Sequence, residues 1–296
     1  MSCHFFLFFI GFLPIATNRY LLPKLHKERS VIYPLAATLQ PHTQPPHTQT
    51  PSSSSSSHTS NASTTTITST PSQSHPPSQT KNHYKCQVHT SKSTRKKSKR
   101  YTFTINQSFE SVVTGCHNQH GISWLFPPIV QAFRAMNHKT ISSPRTTSST
   151  LTSSSTTTSH DDEGGCVANL WEENGQACPV RLYSIEVWNK ETGELAAGEL
   201  GYGLGRMYTS LTGFSQEDSA GSIQLAALGQ LLYNCGYDMW DLGMALDYKS
   251  NLGAKGMKRG VFVDKVKTLR MKKPDRLLEC TEAICCKELI GMDTRI

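Results

Sequence analysis

The chain has 296 residues, enough for one or two domains, but only 36% are hydrophobic, fewer than in an average globular protein. The net charge of +8 is uneven, because residues 1–109 carry 12 basic residues and one acid whereas residues 110–296 carry 18 basic residues and 21 acids. Nine cysteines without a CxxC pair are typical neither of a disulfide framework nor of a zinc site, which argues against a mature secreted protein.

The N-terminal third lacks the pattern of a folded domain. An apolar run at residues 5–15 is too short to span a bilayer but fits the hydrophobic part of a signal peptide. No acid occurs from Arg29 to Phe109, where Ser, Thr and Lys are frequent, as in organelle transit peptides. We expect residues 1–95 to be targeting-like, disordered and dispensable for folding. A genuine leader implies a plastid or mitochondrion, and the alternative is a disordered tail on a cytoplasmic protein. Stable membrane insertion of the mature domain is not expected.

Hydrophobic periodicity predicts an α/β domain with a mixed sheet over residues 96–275. A strand at 101–105 precedes helices at 108–116 and 127–136, and a Ser/Thr-rich stretch at about 140–178 is predicted to be a disordered insertion. Three strands follow, at 181–188, 194–201 and 207–211. A helix over 219–235 then ends at Gly236, before a strand at 238–242. Residues 276–296 are expected to form a tail.

A second group of basic residues stands near the end of the predicted domain. It comprises Lys255, Lys258, Arg259, Lys265, Lys267, Arg270, Lys272, Lys273 and Arg276. Such clustering is typical of a surface that attracts RNA phosphates, and equally of a solvated helix face followed by a tail.

Several motifs, taken with their spacing, resemble the leucyl/phenylalanyl-tRNA–protein transferases. They are SIEVW at 184–188, GFS at 213–215, QLAALGQLLYNCGYDMWDL at 224–242 and LGA at 252–254. The resemblance implies a fold similar to the GCN5-related acyltransferases. It also implies transfer of a Leu-, Phe- or Met-like residue from aminoacyl-tRNA, without a cofactor or metal, to the N-terminus of an acceptor polypeptide. Such a modification would mark the acceptor for degradation.

The resemblance also implies where the donor would bind. Trp124 matches a position that contacts the terminal adenine of the tRNA. The wall of the amino-acid pocket corresponds to apolar or aromatic residues that would look the same in any core: Tyr208, Leu225, Leu228, Leu232 and Trp240.

Two acids are candidates for catalysis. Asp241 matches an Asp of the family, so it is a candidate to orient or deprotonate the incoming amine, or else a turn cap. Glu199 replaces a pocket Met, so it is a candidate substitute base or a group that binds a cation. Further polar candidates are Ser210 and Glu186, the latter with a structural role as its alternative.

Two departures from the family leave the function open. Leu211 stands where the resemblance expects a Glu, and Gly243 stands where it expects a Gln. The first hypothesis is therefore an active transferase, and the alternative is a catalytically inactive module that binds aminoacyl-tRNA or an N-terminal peptide. An acyl-coenzyme A enzyme is disfavoured because no glycine-rich loop opens a helix to hold a pyrophosphate.

Overall fold

The computed structural model describes residues 13–16, 21–38, 84–123, 125–142, 172–173, 176–177, 180–276, 278 and 282–292. Contacts divide the chain into two units, one comprising Met1–Ala37 with Lys85–Ile296 and the other Thr38–Tyr84. The second unit is described only at its two end residues.

Short strands and helices alternate along the described chain. The strands are β1 Leu13–Ala16, β2 Leu21–Lys24, β3 Glu28–Ile32, β4 Ala36–Thr38, β5 Tyr84–Cys86, β6 Tyr101–Ile105, β7 Glu172–Glu173, β8 Gln176–Ala177, β9 Val180–Asn189, β10 Leu195–Leu204, β11 Met207–Ser215, β12 Met239–Asp241, β13 Lys255–Lys258 and β14 Ile284–Cys285. The helices are α1 Lys92–Lys97, α2 Phe109–His120, α3 Pro127–Ser142, α4 Ala220–Asn234, α5 Asp247–Asn251, α6 Arg259–Leu269 and α7 Cys286–Gly291.

Eight strands form one mixed sheet in the order β13-β3-β12-β11-β10-β9-β6-β14. Only β11 and β12 pair in parallel in this sheet, and all the other neighbours are antiparallel. The parallel pair follows from the chain path, because α4 crosses over between these strands and returns the chain in the same direction. The mixed α/β architecture predicted from the sequence is confirmed.

Helices cover both faces of the sheet. The first face lies under α4 and α7, and its core includes Tyr183, Ile185 and Val187 of β9. The second face lies under α2, α3 and α6, and its core includes Leu200 and Tyr202 of β10. Side chains of successive strand residues point to opposite faces, so each long strand contributes to both cores.

The helix α4 is apolar around almost its whole circumference, as expected for a helix buried between the sheet and other elements. Its predicted end is confirmed, because Gly236 follows it with φ 80°, a left-handed conformation that glycine adopts without steric cost. The ends of α4 agree with the prediction to within one residue.

The predicted disordered region over residues 1–95 requires correction. The strand β3 lies inside the large sheet between β12 and β13, and its Val31 and Ile32 are buried. Residues 85–91 and α1 are also described parts of the first unit. A strand of five residues, of which only the last two are apolar, gives little periodic signal, because its stability comes from the strands on either side.

The predicted tail over residues 276–296 also requires correction, because β14 pairs with β6 and α7 buries Leu289 and Ile290 beside α4. Other predicted segments lie largely outside the described residues. Residues 1–12 of the leader and 143–171 of the insertion are among them, whereas α3 extends six residues beyond its predicted end at 136. None of the described helices is long and apolar enough to cross a membrane.

Candidate active site

The large sheet opens beside β11. The short strand β12 pairs with β11 only from Met207 to Thr209, whereas β11 continues to Ser215. Beyond Thr209 no strand of the described chain pairs with this edge of β11, and residues 210–213 are partly exposed. We call this open edge, residues 210–213, the wedge.

A β-bulge shapes the wedge. The register of β10 against β11 shifts so that Leu200 faces Thr212 and Gly201 faces Ser210, which leaves Leu211 without a partner on β10. The position at which the resemblance expects a Glu is therefore the extra residue of the bulge. Leu211 is partly exposed and packs against the core of the second face. A bulge redirects the side chains that flank it.

A buried carboxylate lies on the first face beside the wedge. Glu199 Oε1 accepts hydrogen bonds from Tyr208 Oη at 3.0 Å and from Ser210 Oγ at 2.9 Å. Its Oε2 accepts from Gln224 Nε2 at 2.8 Å, and Trp240 Nε1 donates to Ser210 Oγ at 3.0 Å. We call these five residues the glutamate network. Because Ser210 belongs to the wedge, its hydroxyl connects the buried carboxylate to the open edge.

Burial raises the pKa of Glu199 from 4.5 to about 7, because a charged carboxylate loses its hydration inside the core. The hydrogen bonds from Gln224, Ser210 and Tyr208, and the charge of Lys249, act in the opposite direction and lower the pKa. Burial has the larger effect. A carboxyl group with a pKa near neutrality exchanges protons readily at cellular pH.

The raised pKa makes stability depend on pH. Between pH 4.5 and 7 the folded chain holds a proton on Glu199 that the unfolded chain has lost, so Glu199 reduces stability progressively as pH rises through this window. The reduction reaches on the order of 3 kcal/mol above pH 7. Glu199→Gln should lack this loss, which urea unfolding at pH 5, 6, 7 and 8 would measure. Parallel pH curves for the two proteins would contradict the assignment.

Four of the five residues of the predicted pocket wall lie in one core, and Tyr208 and Trp240 among them belong to the glutamate network. Tyr208, Leu228, Leu232 and Trp240 belong to the core of the first face and are fully buried, so the wall is closed in this structure. Leu225 is half-buried at the margin of the same core. Trp124, the predicted adenine contact, lies outside the described residues.

Asp241 is placed elsewhere. It follows Trp240 in β12, so its carboxylate points to the opposite face of the sheet from the glutamate network. There Arg29 Nε donates to Asp241 Oδ1 at 3.1 Å, and Arg29 Nη2 forms a second ion-pair contact with Oδ2. Thr209 Oγ1 at 3.2 Å and the Gly243 N–H at 2.9 Å also donate to this carboxylate. Through these contacts Asp241 attaches β3 and the turn at Gly243 to β12. Its carboxylate is buried on the face away from the glutamate network, so it does not face an amine bound at the wedge.

Glu186 has a structural role. It is fully buried on β9, and its Oε2 accepts from Thr104 Oγ1 at 2.7 Å. Its Oε1 accepts from the Ser108 N–H at 3.2 Å, where α2 begins. Glu186 thus joins β6 and the start of α2 to the sheet.

Sequence reasoning did not find Lys249, which organises the loop after β12. Its Nζ donates to the carbonyl oxygens of Leu242 at 2.6 Å and Met244 at 2.9 Å. The apolar side chains of Met244, Leu246 and Tyr248 are about half exposed on and just after this loop. The loop begins where β12 ends, and the charge of Glu199 contributes to the raised pKa of Tyr248 after burial.

The chemistry available at the wedge is proton transfer. Ser210 carries a hydroxyl at the open edge, and Glu199 behind it accepts or releases a proton near neutral pH. Within the described ranges, no three His, Cys, Asp or Glu side chains gather in a way that could hold a metal ion.

Comparison with known proteins identifies relatives for the part of the chain that holds the wedge. The family model for leucyl/phenylalanyl-tRNA protein transferase matches residues 172–267. The leucyl/phenylalanyl-tRNA–protein transferase of Shewanella baltica is 27% identical over 190 residues, covering 62% of this chain and 62% of the relative. The enzyme of that name from Maridesulfovibrio salexigens is 25% identical over 183 residues, covering 60% and 59%.

A shorter match has a higher identity. The leucyl/phenylalanyl-tRNA–protein transferase of Pseudomonas fluorescens is 34% identical over 82 residues, covering 28% of this chain and 35% of the relative. The chain spans about three fifths of the length of the relatives from Shewanella baltica and Maridesulfovibrio salexigens. The matched residues 172–267 include β9 to β12, α4 and the whole glutamate network. Over these residues the chain is similar to the leucyl/phenylalanyl-tRNA–protein transferase family.

Proposed function

We propose that the protein transfers an amino acid from aminoacyl-tRNA to the N-terminal amine of an acceptor polypeptide, marking the acceptor for degradation. The observation that carries the proposal is the glutamate network, which lies within the family-matched residues and presents Ser210 at the wedge. The resemblance to the family supports aminoacyl-tRNA as the donor, and the open edge at the wedge supports it as the place where the ester and the amine meet.

The reaction requires little beyond placement and proton transfer. The acceptor's α-amine, with a pKa of about 8, is partly neutral at cellular pH. Its nitrogen attacks the ester carbonyl, the new amide C–N bond forms, and the bond to the 3′ ribose oxygen breaks. Placement of amine and ester together supplies roughly 7–11 kcal/mol of the barrier.

Glu199 and Ser210 supply the proton transfer in this proposal. The amine proton passes to Ser210 while the Ser210 hydroxyl proton passes to Glu199 Oε1, 2.9 Å away. The same path in reverse protonates the departing 3′ oxygen, so the network ends in its starting state. This proton transfer needs no second carboxyl group. Asp241, which pairs with Arg29 on the opposite face of the sheet, therefore has no part in it.

The closed wall indicates the class of donor. Leu228, Leu232 and Trp240 present apolar surface, which favours a Leu-, Phe- or Met-like side chain. Glu199 adds one polar group to that wall, and its three hydrogen bonds leave it engaged within the protein. We therefore propose an apolar donor over a cationic one.

An inactive binding module is the second candidate. It is favoured by Leu211 and by Gly243, whose φ of 80° suits a turn and not a Gln side chain aimed at substrate. The transferase would convert aminoacyl-tRNA and peptide into product, whereas the binding module would bind aminoacyl-tRNA without reaction.

The deciding experiment incubates the full chain with a panel of tRNAs, each charged with one radiolabelled amino acid, and a peptide with a free N-terminus. We expect label in the peptide from leucyl-, phenylalanyl- or methionyl-tRNA, and none when the peptide's N-terminus is acetylated. Absence of transfer from every charged tRNA, with tRNA binding retained, would establish the binding module.

A further inference from the structure

The short helix α5 carries a buried cation. Lys249 is only 8% exposed, and its Nζ donates to the carbonyl oxygens of Leu242 at 2.6 Å and Met244 at 2.9 Å. Burial lowers the pKa of Lys249, because a charged ammonium group loses its hydration inside the protein. Leu242 and Met244 flank Gly243, so Lys249 closes the turn that begins where β12 ends.

This turn is directly connected to the glutamate network. Trp240, which donates to Ser210 Oγ, lies two residues before Leu242, a distance of about 6–7 Å along an extended chain. The side chains of Trp240 and Leu242 both belong to the core of the first face, whereas that of Asp241 between them points to the second face. Lys249 is therefore attached to the part of the chain that supports Ser210 and, through it, Glu199.

Glu199 has no cation in direct contact among the described residues. Its three hydrogen-bond donors, Tyr208, Ser210 and Gln224, are uncharged. Burial raises the pKa of Glu199 to about 7, and the positive charge of Lys249 acts against that rise. The effect is mutual, because burial lowers the pKa of Lys249 and the charge of Glu199 acts against that fall. The two buried groups therefore each favour the charged form of the other.

The remaining groups that face Lys249 do not take over this role. Asp241 of β12 raises the pKa of Lys249 and Arg29 of β3 lowers it, and these two groups already form an ion pair with each other. The Tyr248 ring of α5 has its centre 5.5 Å from Lys249 Nζ, and burial raises the pKa of its phenol, which is uncharged near neutral pH. Glu199 is therefore the acid whose charge depends most on Lys249.

We propose that Lys249 is a positioning residue for aminoacyl transfer, whose ammonium group holds the turn after β12 and supplies the positive charge that favours deprotonated Glu199. The kinetic part of this inference rests on the proposed function. The same turn contains Gly243, where the resemblance expects a Gln, and a Cβ placed on Gly243 would meet no described atom within 4 Å. The polar group associated with this turn is thus the ammonium group of Lys249, which acts through Glu199 and not on the substrate.

A double-mutant cycle tests the interaction without any measurement of activity. Lys249→Met, Glu199→Gln and the double variant are unfolded with urea at pH 5 and at pH 8, below and above the pKa of Glu199. Lys249→Met should lower the urea midpoint more at pH 8, where Glu199 is charged, than at pH 5. This difference should disappear when residue 199 is Gln. Histidines that titrate in the same range are present in both backgrounds, so their contribution cancels in the cycle.

Matched variants separate charge from packing. Lys97→Met removes one charge from the ion pair with Asp218 and should show no pH-dependent coupling to Glu199→Gln. Lys249→Arg keeps the charge and should retain the coupling. If Lys249→Met does not fold, Lys249→Gln, which still offers a donor to the turn, replaces it in every measurement.

The pH–rate profile provides the kinetic test, with one charged tRNA and one peptide acceptor. Since deprotonated Glu199 is the active form, Lys249→Met should move the rising limb of kcat to higher pH. Its kcat should therefore fall by a larger factor at pH 6.5 than at pH 8.5, whereas KM for aminoacyl-tRNA should change little. Displacement of the turn alone would lower kcat by the same factor at every pH.

Three results would overturn the inference while leaving the proposed function intact. They are equal losses of stability at pH 5 and pH 8 for Lys249→Met, a pH-dependent loss that persists when residue 199 is Gln, and a fall in kcat that is uniform across pH. Conversely, coupling between Lys249 and Glu199 at pH 8 without transfer from any charged tRNA would support the interaction of these two groups and refute the transferase.

Discussion

Replacing Arg29 with Met should lower the free energy of unfolding by about 3–5 kcal/mol, because the change leaves the fully buried Asp241 carboxylate without its cation. Arg29 is itself buried, and its guanidinium carbon also lies 5.2 Å from the centre of the Phe262 ring. Met retains much of the packing volume, so the loss reports mainly on charge. Urea denaturation monitored by tryptophan fluorescence would measure it.

A matched surface pair serves as the control. Arg134 forms a similarly close bidentate ion pair with Glu110, but both side chains are about half exposed or more. Arg134→Met should therefore cost far less than Arg29→Met. The double variant Arg29→Met with Asp241→Leu should recover part of the loss, because it removes both buried charges. Similar losses for Arg29→Met and Arg134→Met would refute the buried-pair account.

Replacing Glu199 with Gln should lower kcat for aminoacyl transfer by about 10²- to 10⁴-fold, the usual contribution of a general base. Gln is nearly the same size and still offers an oxygen to Tyr208 and Ser210, so KM should change little. Since the deprotonated form is the active one, the wild-type rate should rise with pH through a pKa of about 7, and the Gln variant should lose this limb. A pH–rate profile with one charged tRNA and one peptide measures both effects.

Two further variants localise the effect. Ser210→Ala should also lower kcat, because it interrupts the only hydrogen-bonded path from Glu199 to the wedge seen among the described residues. Asp241→Asn should destabilise the protein while leaving kcat of the folded fraction nearly unchanged. A large fall in kcat for Asp241→Asn together with normal turnover by Glu199→Gln would transfer the catalytic role to Asp241.

The elements of the second half were readable from the sequence because they are long and periodic. The helix over Ala220–Asn234 and the long strands before it carry strong hydrophobic patterns and clear glycine turns. The strands at Glu28–Ile32 and Ile284–Cys285 were not readable, since each is short and its partners lie far away in sequence. Local patterns do not encode such long-range pairing.

The candidate site could be predicted only in part, because side-chain direction and long-range contacts are not visible in the sequence. The resemblance grouped Trp240 and Asp241 as neighbours in one motif, whereas the alternation of a strand sends them to opposite faces. A sequence also does not show which acid forms an ion pair in the folded protein. The partner of Asp241 is Arg29, which lies 212 residues away in the sequence. Gln224 and Ser210 became visible as partners of Glu199 only once α4 and the bulge of β11 were placed.

The position of β3 has a consequence for synthesis of the chain. Its partners are Trp240 and Asp241 on one side and Lys255–Lys258 on the other, so both are translated more than 200 residues later. Until then the emerging polypeptide carries a strand whose backbone hydrogen-bonding groups have no partner strand on either edge, a state prone to wrong pairing. A ribosome-bound intermediate stalled before residue 238 should therefore leave residues 28–32 accessible to proteases or chaperones, and release of the completed chain should protect them.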